Sequence, residues 1–513
     1  MTESVTTNID FDKLDKALYQ LIDGLEQDTL VTESGYVHTV ADGIASVKGL
    51  ANACLDEVIE FPGGIIGVVR ELLPYETKVV LFNRFEEVKS GALAKRTCEE
   101  LRIPVGDAVI GRVIDVFGNP IDGMGEIRGE TKLMPIERQA PKLVDRSPVS
   151  KPLTTGIIAI DSMIPIGLGQ RELILGDMQT GKTSIAIGTI LNQLARYKAG
   201  NPIYCFYVAI GQKMDSIVEV YEQLKAGGAM QYTTIIAASA SDSAHSQFIA
   251  PYAGSTLAEH FMDAGKNCLI IYDDLSKHAV AHREISRLLG RPAGRDAYPA
   301  DSFYIHARLL ERSANLQNGG SITALPIIET QDGDISGYIA TNVISITDGQ
   351  IFLDSRMLDR PKIDVGESVS RTGSAAQASA TKKVSRSMKS ELAQYSELAK
   401  FAQFTSGNLD KVQMKILQKG QQTKHLLSQD EDERYTLEEE AILIAGSHYG
   451  IFAQIKNDKK QVRSIKKAFL AAVESGYPQI FKEIRTTNDI TDSSLEVLKQ
   501  IASKFEMEED KTK

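Results

Sequence analysis

GDMQTGKTS, residues 176–184, is the stretch on which the fold of this 513-residue protein turns. Gly176-x4-Gly181-Lys182-Thr183 has the spacing of a phosphate-binding loop, a pattern that counts only between a buried strand and a helix. ELIL, 172–175, supplies the apolar strand. TSIAIGTILNQLARYK, 183–198, sets Ile187, Ile190, Leu191 and Leu194 on one helical face. Glycines let backbone N–H groups wrap phosphate oxygens, and a helix N-terminus adds positive potential. Asp177, Met178, Gln179, Thr180 and Ser184 complete the loop. Lys182 is expected to reach the outer phosphates of a bound nucleotide, and Thr183 to offer its hydroxyl to Mg2+.

A phosphate loop also needs an acid at the end of a neighbouring strand. CLIIYDD, 268–274, ends in two. Strand side chains alternate, so only one faces the metal, and Asp273 is the first past the apolar run. Hydrolysis requires in addition a group that orients and deprotonates water. The strand YCFYVAIG, 204–211, is followed by Gln212. An amide orients water but does not take its proton as a carboxylate does. The residues alone leave open whether the pocket cuts a nucleotide or only holds one.

On either side the patterning changes. Residues 1–25 carry Phe11, Leu14, Leu18, Leu21 and Ile22 at helical spacing. From about 26 to 97, YVHTV, GIASV, EVIEF, IIGVV and KVVLF are separated by Gly, Pro and Asn, the pattern of a small β-barrel or sandwich. From 98 to 385, apolar runs alternate with helical stretches. ELILG, IYCFYVAIG, TTIIAA, CLIIYDD, ITALPII and NVISIT read as buried strands of a parallel sheet. From 386 to 513 the signals are helical, in KKVSRSMKSELAQYSELAKFAQF, Asp410–Leu427, LEEEAILIAGSHYGIF and SSLEVLKQIASKF.

Composition excludes several classes. The net charge is −11, with no Lys/Arg cluster, against a large nucleic-acid footprint. No run approaches the ~20 apolar residues of a membrane span. The beginning of the sequence has neither signal- nor transit-peptide character. The four cysteines are scattered and read as reduced thiols. His278 and His282, four apart, lack the further ligands of a zinc site.

Longer stretches resemble one family, the alpha subunit of the F-type ATP synthase. They include PVGDAVIGRVIDVFGNPIDG (104–123), GDMQTGKTS, YVAIGQK (207–213), LIIYDDLSKHAVAHREISRLLGRPAGRDAYPADSFYIHARLLER (269–312), ETQDGDISGYIATNVISITDGQIFL (329–353) and SVSRTGSAAQ (368–377). The resemblance implies a RecA-like α/β core between an N-terminal barrel and a C-terminal helical domain. It implies a ring of three alpha and three beta subunits around a gamma stalk, held by a delta-type peripheral stalk at the N-terminal helix. A proton- or sodium-driven membrane sector would lie beneath, with this subunit peripheral on the cytoplasmic face of the plasma membrane. It implies Mg2+ and ATP or ADP at a non-catalytic site, with Gln212 where the beta subunit has a glutamate base. Arg360, Pro361 and Gln429 would join the nucleotide contacts. Arg371, with Ser368 beside it, would reach into the beta active site as an arginine finger.

Four departures bear on the pocket. Met178 and Met214 stand where the family usually has arginines. FLDSRMLDRPKIDVG is a few residues shorter than usual and lacks the aromatic that covers adenine. Gln429-Asp430-Glu431 replaces Gln-Gly-Gln, inside the acidic run QDEDER. Weaker or differently selective nucleotide binding is therefore expected. The competing readings are a self-assembling hexameric P-loop ATPase of the secretion type, a RecA-like nucleic-acid motor, and a specialised alpha-like subunit of a divergent rotary complex. The first requires a catalytic carboxylate and the second a basic barrel.

Overall fold

The structure, a computed structural model, describes residues 33–82, 84–357, 361–404, 410–453, 455 and 458–509. The helix expected over 1–25, with its stalk contact, and Arg360 lie outside them. The protein divides into two compact units after Leu101.

The first unit is a closed six-stranded antiparallel barrel in the order β1-β2-β5-β4-β3-β6. β1 (Ser34–Ala41), β2 (Ile44–Lys48), β3 (Glu57–Phe61), β4 (Ile65–Leu72) and β5 (Thr77–Leu81) coincide with the alternating runs. Val37, Val47, Ile59, Phe61, Val69, Val79 and Leu81 fill the interior. β6 (Leu93–Glu100) has no apolar alternation to announce it, because it is polar and buries only Ala94. Its register against β3 comes with an ion pair. Arg96 donates from Nε and Nη2 to the buried Glu57 carboxylate at 2.8 and 2.9 Å. A bidentate charged pair of this kind fixes geometry better than one apolar contact.

The second unit opens with two small ladders, β7 (Arg102–Val105) with β9 (Lys132–Pro135) and β10 (Pro152–Leu153) with β11 (Ile166–Gly167). Its centre is an eight-stranded sheet. The members are β8 (Val113–Ile114), β12 (Leu173–Gly176), β13 (Ile203–Gln212), β14 (Thr233–Ser239), β15 (Asn267–Asp273), β16 (Ser321–Glu329), β17 (Gly349–Leu353) and β18 (Ile363–Ser370), in the order β18-β17-β12-β16-β15-β13-β14-β8. All neighbours are parallel except β17 and β18. Both faces are covered. Cys205, Tyr207 and Ala209 of β13 join the cluster containing Ile185, Ile190, Ile217 and Val220, whereas Phe206 meets Phe261 of the helix Ala244–Asp263. NVISIT is a correction: its first five residues end the helix Tyr338–Ile346, and the strand is the following GQIFL. A short β-branched run fits a buried helix as well as a buried strand.

The C-terminal helices are Ser379–Ser385, Met388–Phe404, Lys411–Leu427, Leu437–His448, Lys459–Gly476, Pro478–Thr487 and Asp492–Glu509. Two of the starts are capping boxes, Asp410 with Gln413 and Thr436 with Glu439. Leu437–His448 buries residues all round its circumference and lies in the middle of the helical core. No helix among the described residues is long and apolar enough to cross a membrane.

Candidate functional site

The phosphate loop runs from the end of β12 into the helix Lys182–Asn192. Gly181 caps that helix at φ +102°, where a side chain is strained. A Cβ on Gly176 would come within 2.8 Å of the Leu353 carbonyl oxygen and 2.9 Å of Thr180 Oγ1. Lys182 is buried, and its ammonium donates to the carbonyl oxygens of Gly176 and Asp177 at 2.8 and 2.6 Å. Burial lowers its pKa, against the pull of Glu329, Asp274, Asp273 and Asp177.

Thr183 Oγ1 donates to Asp273 Oδ2 at 3.0 Å. Thr183 is on the helix that follows β12 and Asp273 ends β15, two strands that do not touch because β16 lies between them. The expected acid is thus one strand further out than a direct neighbour. Asp273 faces the loop, and Asp274 caps the helix Leu275–Leu288 by accepting from Lys277 N at 2.8 Å. Burial and then the Asp273 charge push Asp274 up to about 7. Asp273 also accepts from the buried Tyr207 hydroxyl and from Gln212 Nε2, the latter at 3.0 Å. Lys277 Nζ donates to Gln212 Oε1 at 3.0 Å. Both functional ends of the Gln212 amide are therefore engaged. A hydroxyl and a carboxylate at a helix start are the hard oxygen donors that Mg2+ takes with phosphates and water, so the residues present fit that ion.

A cavity of about 260 Å³ extends from the loop along its helix. Gln179, Thr180, Gly181, Lys182, Thr183 and Ser184 line one end, and Pro361, Lys362, Gln429, Asp430, Glu431 and Arg434 line the rest with Ile157, Ile185, Gly188, Leu353 and Glu433. A second cavity, of about 330 Å³, shares Thr183, Ser184, Glu431 and Arg434 and continues past Gln212 and Asp273.

Four expected contacts are different in the structure. Asp177 turns away from the cavity, accepting from Thr330 Oγ1, Gly333 N and Ser355 Oγ, and so braces the loop. Met178 is 69% exposed and lines neither cavity. Gln429 is buried and donates both amide hydrogens to backbone, to Gly156 O at 2.7 Å and Glu433 O at 2.8 Å, while accepting from Ile158 N. It has no hydrogen left for a base. Ser368 is completely buried, bridging Phe352 N–H and the Asp364 carbonyl within the β17–β18 hairpin, so its hydroxyl holds structure rather than substrate.

Arg371 lies elsewhere. β18 runs antiparallel to β17, with Ser370 beside Gly349 at the start of β17, whereas the loop residue Gly176 pairs with Leu353 at its end. Four strand steps, about 13 Å, separate those ends. Arg371 is exposed. Its backbone N–H donates to Asp348 O at 2.8 Å, and Nη2 to Ile344 O at 3.3 Å. Sequence reasoning missed Tyr207, Lys277 and Arg434. Only Lys277, one turn past a helix-capping aspartate, had a local signal.

A β-strand, a glycine loop, a helix and an acid two strands away define a P-loop nucleotide-binding protein with a RecA-like sheet. Two family models match. That of the nucleotide-binding domain of the ATP synthase alpha/beta family covers residues 156–370, and that of the C-terminal domain of the same alpha/beta chains covers 377–505. The ATP synthase subunit alpha of Acetivibrio thermocellus is 50% identical over 495 residues, 95% of this sequence and 96% of that protein. That of Caldanaerobacter subterraneus subsp. tengcongensis is 48% identical, covering 95% and 96%, and that of Parabacteroides distasonis 44%, covering 98% and 99%. The chain belongs to the ATP synthase alpha/beta family.

Proposed function

We propose that the protein is a non-catalytic, regulatory alpha-type subunit of a rotary F-type ATP synthase. It holds a nucleotide in its own P-loop and lends Arg371 to the active site of a beta-type partner. The observation that carries the second half is the position of Arg371 at the start of β17, across the sheet from its own loop. An exposed guanidinium there serves a neighbouring subunit in trans, aimed at the charge that develops on a transferring phosphoryl group. The first half is supported by Gln212. Its amide is clamped between Asp273 and Lys277 and offers no carboxylate to deprotonate water.

Thr183 and Asp273 would hold Mg2+, which when bound neutralises charge between the outer phosphates. Lys182 would then leave the loop carbonyls for phosphate oxygens. The ring of three alpha-type and three beta-type subunits, the gamma and delta contacts, the proton- or sodium-driven sector and the cytoplasmic membrane face belong to the same proposal.

The test has two arms. The full-length protein alone should show no appreciable ATP turnover; turnover without a partner would favour a self-assembling ATPase instead. Copurified with its neighbours, the Arg371→Ala ring should assemble normally and lose on the order of 10³-fold or more in ATPase rate. Retained activity would remove the trans role.

A further inference from the structure

Gln170, Arg171 and Glu172 lead into β12 and meet the turn that carries Arg371. Arg171 holds that turn through Asp348. Its backbone N–H and Nε donate to Asp348 Oδ2 at 3.0 Å and its Nη2 to Oδ1 at 2.8 Å, while the Asp348 carbonyl accepts the Arg371 N–H. Glu172 reaches the turn by another route. It is completely buried, and both of its carboxyl oxygens lie within 2.8 Å of where Gly349 would carry a Cβ. Gly349 pairs with Ser370, the residue immediately before Arg371. Glu172 Oε2 accepts from Gln170 Nε2 at 2.8 Å, and the same nitrogen donates to Ser370 Oγ at 3.1 Å. Ser370 Oγ in turn donates to Pro165 O at 2.7 Å. A side-chain amide has two hydrogens to give. With one held by Glu172, the other is directed at Ser370.

The other carboxyl oxygen, Oε1, has no hydrogen-bond partner among the described residues. Burial raises the Glu172 pKa well above the usual glutamate range, the Asp348 charge adds to the rise, and Arg371 is a cation that opposes it. A buried carboxyl with an unmet oxygen destabilises a fold, and an apolar side chain of the same size would pack there at lower cost. Packing therefore does not account for a glutamate at this position, whereas its hydrogen-bonded route to the base of Arg371 does. Glu172 also stands at the opposite end of β12 from Gly176, so it touches nothing in the phosphate loop of its own chain.

We propose that Glu172 is a positioning residue for Arg371: through Gln170 and Ser370 it fixes the direction in which the arginine leaves the sheet towards a partner's active site. The inference rests on the trans role of Arg371 proposed above. It is tested in the complex copurified with its neighbours. Glu172→Met fills the same space, removes the acceptor and relieves a buried carboxyl. The ring should therefore assemble, and the variant protein alone should melt no lower than the parent. The ATPase kcat should fall by on the order of 10- to 100-fold with the KM for ATP unchanged, the scale of a catalytic group displaced by about 1 Å. Glu172→Gln keeps an acceptor for Gln170 and should recover most of the rate. In the Arg371→Ala ring, Glu172→Met should cost nothing further, because its effect passes through that side chain. Full kcat in Glu172→Met overturns the inference, as does a Glu172→Gln ring no faster than Glu172→Met. Failed assembly or a lower melting temperature in Glu172→Met also overturns it, because the carboxyl would then be holding the fold. A further loss in the Arg371→Ala ring does the same. If Arg371→Ala by itself keeps the parent rate, it is the trans role that falls.

Discussion

At the scale of single residues, the chemistry concentrates on one hydrogen bond, from Thr183 to Asp273. Replacing Thr183 by valine preserves shape and removes one oxygen. Affinity for Mg-nucleotide should drop about tenfold, on the order of one lost polar contact, while affinity measured with the metal chelated stays the same. An equal loss with and without metal would show that the hydroxyl serves the loop and not the ion. The placement of Gly181, Lys182, Thr183 and Asp273 together was legible because each position is a matter of local spacing and alternation. Asp177, Gln429 and Ser368 were not. Each is a polar residue whose hydrogen bonds run to groups brought near by folding, and nothing in the local pattern separates such a residue from a ligand contact.

At the scale of elements, the helix Leu437–His448 carries a carboxyl into the core. Glu440 is completely buried, neither of its oxygens meets a donor among the described residues, and it faces the carboxyl of Asp161. Asp161 is held by Thr155 N, Thr155 Oγ1 and Gly156 N. Burial first, and then the Asp161 charge, raise the Glu440 pKa well above the usual glutamate range. The folded protein therefore binds this proton more tightly than the unfolded one. Its contribution is fully present below the ordinary glutamate pKa and is lost as pH rises towards the folded value. Glu440→Gln needs no proton. By urea denaturation the variant should exceed the parent protein by more than about 1 kcal/mol at pH 8, with the difference shrinking towards pH 5. A difference independent of pH would mean that packing, not protonation, governs the site. The same scale explains which elements were readable. Five barrel strands alternate plainly, whereas β6 depends on Arg96 finding Glu57 39 residues away.

At the scale of the whole second unit, the helical segment is joined to the nucleotide core through Gln429, which bonds Ile158 N and Gly156 O across a separation of more than 270 residues. Gln429→Ala would leave the buried Ile158 N–H without its partner and Gly156 O with only the Tyr435 N–H. Scanning calorimetry of the full-length protein should register a loss of roughly 2–4 kcal/mol and a lower melting temperature. An unchanged transition would mean that water or neighbouring groups take over both bonds. The segment that carries this joint also carries Arg434, so the helices that brace the core also close the cavity.

By itself the sequence determined the order of barrel, α/β core and helices, the phosphate loop, and the choice of Asp273 over Asp274, because short-range periodicity and glycine geometry dictate these. Tertiary structure alone decided the rest. The sheet order inserts β16 between loop and acid, and the antiparallel turn of β18 carries Arg371 to the far end of the sheet. Folding of the helical segment back onto the core brings Arg434 beside Gly188. Each of these depends on strand pairing or packing between residues far apart in the sequence, and such pairings leave no periodic trace in the local pattern.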